Sequence, residues 1–128
     1  MSLKDVKAKN IMITKLLTIS PNEKVAAADL LMVRNSIGGL PVIENENLVG
    51  ILTQRDIMLS RFSISVGGLQ VEDLMTRNPI TISPETSLEQ IIKIMLTKKI
   101  ERLPVIEEGN LVGMVMKIEI LKKIHEML

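Results

Sequence analysis

Residues 8–65 of this chain overlie residues 71–128 without a gap. The match is clearest in TISP (Thr18–Pro21 and Thr81–Pro84), LPVIE (Leu40–Glu44 and Leu103–Glu107) and NLVG (Asn47–Gly50 and Asn110–Gly113). A tandem repeat constrains the architecture before any single motif is weighed, because one supersecondary unit must be built twice. Units of about 60 residues bury too little surface to be comfortable alone, so the copies are expected to share a core. The expected organisation is a first domain at 8–65, a linker at 66–70 within the Gly67-Gly68 stretch, and a second domain at 71–128.

Each copy reads as strand, helix, strand, strand, helix. LLTIS and PITIS predict short strands that stop at Ser-Pro, where the fixed φ of proline suits a turn or a first helical position. A helix follows in each. Leu88, Ile91, Ile92, Met95 and Leu96 share one face at helical spacing, with Thr86 and Glu89 as its expected capping box. Val25, Ala28, Leu31 and Met32 make the corresponding, smaller face, which closes at Asn35 and Gly38. GLPVIE with LVGILT, and RLPVIE with LVGMVM, predict hairpins across the short polar links Asn45–Asn47 and Glu108–Asn110. The last helices begin near Gln54 and Lys117.

Composition narrows the function. A formal net charge of +1 provides no broad basic surface for nucleic acid or an anionic membrane. The single aromatic residue, Phe62, leaves nothing for bases to stack on. No apolar run approaches the ~18 residues of a membrane span, and MSLKDVKAKN lacks a signal peptide's apolar stretch. The absence of cysteine fits a reducing interior, so a cytoplasmic protein is expected. His125 stands alone, without Cys or a second His, so no metal is expected. The nine methionines read as adaptable packing in the core and in a dimer interface. KIEILKKIHEML is amphipathic and is expected to pack in a helical interface rather than on a membrane.

The element order in both copies, the TISP turn, LPVI with its short link to NLVG, and GILTQRDI (Gly50–Ile57), which fits Gly-x-x-Thr/Ser-x-x-Asp, resemble the cystathionine β-synthase (CBS) domain in tandem. The resemblance covers nearly the whole chain. It implies an α+β fold of two β-α-β-β-α repeats packed through their sheets about a pseudo-twofold axis, with two clefts that often take adenosine-containing ligands. It also implies a homodimer, a disc of four repeats, acting as a regulatory sensor.

Thr53 and Asp56 have a physical rationale of their own. A strand ending at Thr53 and running into a helix puts unsatisfied N–H groups and the positive helix end beside the hydroxyl, a setting suited to phosphate. Asp56, three residues on, shares that face, and a carboxylate accepts from both hydroxyls of a ribose. The same pair is equally a good helix start, Thr as N-cap and Asp in the first turn. The second copy, GMVMKIEI (Gly113–Ile120), builds its helix with Met116 and Glu119 instead, so the fold does not require a Thr cap there. The resemblance assigns Thr53 to phosphate and Asp56 to ribose.

The resemblance further implies adenine contacts from Thr14, Lys15 and Leu16, and from Ile37, Gly38, Gly39 and Leu40. The glycine pair lets backbone approach a flat ring, and it could equally stop the preceding helix; the two roles are compatible. Glu101 and Arg102 stand where the first copy has those glycines. The implied symmetry points Arg102 at the phosphate of the nucleotide on Thr53 and Asp56, where its planar fork binds oxygens bidentately. The alternative is a solvated Arg102 paired with Glu101 or Glu107. Lys98 and Lys99 add charge nearby, and Arg55 is expected on the surface. A weaker second cleft falls to Arg77, Ile100, Glu101, Met116 and Glu119.

The function expected is therefore a regulatory module sensing an adenine nucleotide, AMP first and ADP or ATP next, as a ligand rather than a cofactor and without catalysis. The alternatives are a dimerisation module with a vestigial cleft, or a site for S-adenosylmethionine or NAD. No Ser/His/Asp or Cys/His set supports an enzyme. A readout is expected from an effector protein in trans or a change of oligomer.

Overall fold

The structure, a computed structural model, describes residues 1–60 and 68–128. The end of the first expected domain, with Phe62, and positions 66 and 67 of the expected linker lie outside the described residues. In chain order, a single 3-10 turn at Leu3–Asp5 precedes helices α1 (Ala8–Ile11) and α2 (Val25–Arg34), strands β1 (Gly39–Glu44) and β2 (Asn47–Thr53) and helix α3 (Gln54–Ser60). The second copy follows with α4 (Val71–Leu74), β3 (Thr76–Arg77), α5 (Leu88–Lys98), β4 (Arg102–Glu107), β5 (Asn110–Met116) and α6 (Lys117–Met127).

Both hairpins form in the same register. Gly39 pairs with Thr53 and Glu44 with Asn47; Arg102 pairs with Met116 and Glu107 with Asn110. Each turn needs positive φ at two central residues, as a right-twisted two-residue hairpin requires. Glu108 (φ 50°) and Gly109 (φ 82°) supply it in the second copy. Asn45 (φ 51°) and Glu46 (φ 68°) supply it in the first, so Glu46 carries a side chain where glycine would be unstrained.

The expected first strand of each copy shrinks to one residue. The Ile19 N–H donates to the Pro41 carbonyl (3.1 Å) and its carbonyl accepts from the Ile43 N–H (2.9 Å). Extending this parallel bridge by one step either way needs an N–H from Pro21 or Pro41, and neither has one. Ile82 is clipped identically between Pro84 and Pro104, with bonds of 3.0 Å to the Pro104 carbonyl and 2.8 Å from the Ile106 N–H.

Helix α5 starts one residue later than its expected box. Its cap is Ser87, whose Oγ accepts from the Gln90 N–H (3.2 Å), while Thr86 Oγ1 accepts from the Ser83 N–H (3.0 Å) in the turn before it. The face Leu88, Ile91 and Met95 is buried, but Leu96 is 75% exposed. Four positions one turn apart already span the contact arc, and Leu96 falls beyond it.

The unit of packing is offset from the unit of repetition. One compact unit is Met1–Leu16 with Ile80–Leu128, and the other is Leu17–Pro79. The one-turn helices α1 and α4 occupy equivalent places in the two copies, yet each lies in the core of the other copy's body. Val6, Ala8 and Ile11 pack with Ile82, Leu88, Ile91, Leu103 and Val115. Val71 and Met75 pack with Ile19, Val25, Met32, Leu40 and Leu52. Burying a Val or Ile side chain contributes about 1.5–3 kcal/mol, so each body depends on the leading segment it receives.

Glycine in NLVG makes these attachments possible. In the Leu17–Pro79 unit, β3 adds to β2 with Arg77 opposite Gly50 and Thr76 opposite Ile51. A Cβ on Gly50 would lie 2.7 Å from Met75 Sδ and 2.8 Å from the Thr76 carbonyl oxygen. In the other unit, Ile13 bridges Met114 through two bonds of 2.9 and 3.0 Å, and a Cβ on Gly113 would lie 2.7 Å from Met12 Sδ. An exposed clasp reinforces the second attachment: Lys7 Nζ and Lys9 Nζ each reach Glu85 at 2.8 Å. The hydrogen bond from Lys7, then that from Lys9, lowers the Glu85 carboxyl to about 2, and the same bond raises the Lys7 ammonium.

Candidate functional site

In the Leu17–Pro79 unit the hairpin register sets the end of β2 beside the bend that leads into β1. Gly39 is the partner of Thr53, and the Gln54 N–H donates to the Gly38 carbonyl at 2.9 Å. Ile37, Gly38, Gly39 and Leu40 are thereby held next to Thr53 and Asp56. The helix-stopping role left open for the glycines belongs elsewhere. Asn35 Nδ2 donates to the Leu31 carbonyl (2.8 Å), and the left-handed residue is Ser36 (φ 54°), after which the Ile37 N–H returns to Met32 (3.0 Å). Lys99 (φ 56°) does the same for α5.

Thr53 and Asp56 do form a reciprocal cap. Asp56 Oδ2 accepts from the Thr53 N–H at 2.8 Å, and Thr53 Oγ1 accepts from the Asp56 N–H at 3.2 Å. Both residues are half-buried. The cap occupies one carboxylate oxygen and one hydroxyl lone pair. It leaves the Thr53 hydroxyl proton and Asp56 Oδ1 without a hydrogen bond among the described residues, so the helix start and a polar contact are roles the pair can hold together.

The second copy closes the equivalent place differently. Met116 caps α6 without a side-chain bond, and Glu119 pairs with Lys122 at 3.7 Å. The Lys117 N–H donates to the Glu101 carbonyl at 2.9 Å, as Gln54 does to Gly38, and Lys117 Nζ also meets Glu101 Oε1 at 3.4 Å. Glu101 is therefore engaged with Lys117. Arg102, half-buried, opens β4 opposite Met116.

Ile37–Leu40, Thr53, Asp56 and Arg77 belong to one unit; Thr14–Leu16, Ile100, Glu101, Arg102, Met116 and Glu119 belong to the other. Both expected site sets thus draw on both units. Thr14, Lys15 and Leu16 directly follow the Ile13–Met114 bridge. Arg77 lies on β3, and its Nη2 donates to the Glu72 carbonyl at 3.3 Å. The bond from Gln54 to Gly38, which joins the two halves of the first set, was not anticipated. It repeats at Lys117 and Glu101, but nothing in residue type marks it. Among the described residues no helix is long and apolar enough to cross a membrane.

The family model for the CBS domain matches residues 8–62 and again 71–126. The chain belongs to the CBS-domain family. It is similar to the CBS domain-containing protein YhcV of Bacillus subtilis, 36% identical over 108 residues that make up 84% of this chain and 77% of YhcV. It is also similar to inosine-5'-monophosphate dehydrogenase of Korarchaeum cryptofilum, 43% identical over 110 residues, 85% of this chain but 22% of that enzyme. The chain spans about a fifth of the length of the dehydrogenases it matches. Among solved structures, CBSX2, a CBS-pair protein of Arabidopsis thaliana, has been crystallised in complex with AMP. That complex matches at a TM-score of 0.84 with 27% identity, covering 94% of this chain and 97% of CBSX2. The mixed fold with two small sheets is thus that of a CBS pair.

Proposed function

We propose that this chain is a non-catalytic sensor of an adenine nucleotide, AMP before ADP or ATP. The observation that carries it is the Thr53–Asp56 cap, which starts α3 and still offers a hydroxyl donor and a carboxylate acceptor beside the Gly38–Gly39 backbone. Asp56 Oδ1 takes the ribose hydroxyls, Thr53 and Arg102 take the phosphate, and Thr14–Leu16 with Ile37–Leu40 enclose the adenine. The CBSX2 complex with AMP supports this choice of ligand. The Met116–Glu119 set lacks the hydroxyl, and Glu101 is engaged with Lys117, so the second set binds nucleotide weakly or not at all.

A second copy of the chain is the proposed partner. Leu30 and Val33 on α2, Met58 and Leu59 on α3, and Leu96 on α5 are exposed apolar residues that a helical dimer interface would cover. The signal would then pass to an effector in trans or through a change in assembly.

Thermal melting against AMP, ADP, ATP, S-adenosylmethionine and NAD tests the ligand. At a hundredfold excess over its dissociation constant, a specific ligand stabilises by about 2.7 kcal/mol. If none of the five raises the melting temperature, the sensor reading fails.

A further inference from the structure

We propose that Met1–Leu16 is a strap whose docking on the Ile80–Leu128 body is coupled to the nucleotide, so that bound nucleotide holds it closed and nucleotide loss lets it open. The coupling rests on the nucleotide reading above and names its output.

The strap is remote in sequence from the body it covers. Its attachments are few and can be named. Val6 and Ala8 are fully buried, the Ala8 N–H donates to Thr86 (2.8 Å), the Lys9 N–H to Pro84 (3.0 Å), and the Leu88 N–H to Val6 (2.9 Å). Lys7 and Lys9 clasp Glu85 from outside, in exposed pairs that salt screens. The last attachment is Ile13 on Met114, seated on Gly113. The body's own hairpin and α5 are local to 80–128 and keep their internal bonds when the strap lifts. Opening of this kind is sub-global rather than complete unfolding.

Thr14, Lys15 and Leu16 come immediately after that last attachment. A nucleotide that uses them needs Ile13 held against Met114. Linkage then runs both ways: whatever factor docking adds to nucleotide affinity, nucleotide adds to docking. The equivalent segment before the second copy precedes Arg77 instead, in the set with the weaker claim to a ligand.

Amide hydrogen exchange on the wild-type chain, with and without AMP at a hundredfold above its dissociation constant, reads this directly. Without AMP, the amides of Ala8, Lys9 and Ile13 should exchange at least about tenfold faster than those of Ile91 and Ile106 in the body, the signature of sub-global opening. AMP should slow the strap amides by up to about 100-fold. Glu85→Gln, distant from every proposed nucleotide contact, should speed strap exchange while leaving Ile91 and Ile106 unchanged. A common rate for strap and body amides overturns the proposal. So does protection by AMP at Thr53 to Ile57 with none in the strap. AMP protection nowhere in the chain sinks the nucleotide reading itself, and the coupling falls with it.

Discussion

Replacing Gly50 by alanine tests the packing of the leading segments most sharply. The new Cβ would stand 2.7 Å from Met75 Sδ, 2.8 Å from the Thr76 carbonyl oxygen and 3.0 Å from Met75 Cγ. The thioether could turn aside on an open surface, but Met75 is 92% buried among Val25, Leu52 and Val71, being 8% exposed. The carbonyl belongs to backbone paired with β2, so relief means parting β3 from β2. Overpacking of this kind costs about 1–3 kcal/mol, and the backbone contact puts Gly50 at about 3 kcal/mol. Loss of glycine's freedom in the unfolded chain returns about 0.4–1 kcal/mol. The net loss is about 2 kcal/mol, a fall in melting temperature of roughly 6–10 °C for a chain of this size. Urea denaturation followed by circular dichroism measures it, with two alanine controls. Gly68 has nothing within 4 Å of its Cβ, so Gly68→Ala should change little. Gly109 has open space but φ +82°, so Gly109→Ala should cost about 1–2 kcal/mol through backbone strain alone. Gly50→Ala as stable as Gly68→Ala would refute the account of how the segments dock.

Glu46→Gly should stabilise by about 1 kcal/mol, because the left-handed turn residue then carries no side chain; calorimetric melting checks it. Ser87→Ala should lose about 1 kcal/mol of cap energy in urea titration, more than the loss from Glu89→Ala, which removes the partner expected for Thr86. Acid should dissolve the clasp. Glu85 is held below its ordinary 4.5, so its contribution is full above that value and is lost as pH falls through about 2. The melting advantage of wild type over Glu85→Gln should therefore be largest near neutrality, shrink below pH 4.5, and vanish near the lower limit. High salt at neutral pH should shrink it too.

The hairpins, their register and the starts of α3 and α6 were legible because each is encoded locally and stated twice. The clipped strands were not. Pro21 and Pro41 limit the bridge only together, and their pairing is visible once the two segments are aligned in space. The exchange of leading segments was hidden for another reason. A repeat shows its period but not its phase, and the one-turn helices at Ala8 and Val71 are too short for a periodic signal. Which body each segment joins is decided by where Met12 and Met75 find a glycine. At the candidate site, the two readings of Thr53 and Asp56 proved to be one arrangement, since the cap uses half of the pair's polar capacity. The placement of Thr14–Leu16 came from family resemblance alone, for nothing in their residue types marks a ligand.

Because Asp56 also caps α3, melting comparisons with Asp56→Ala mix stability with binding, and titration calorimetry separates them. AMP titrated into the wild-type chain should bind once per chain. Asp56→Ala, folded by circular dichroism, should lose at least about tenfold in affinity, the ~1.5–3 kcal/mol expected of hydrogen bonds to a charged group. Two equal sites per chain, no heat of binding to the wild type, or full affinity in Asp56→Ala would contradict a single nucleotide site built on Thr53 and Asp56.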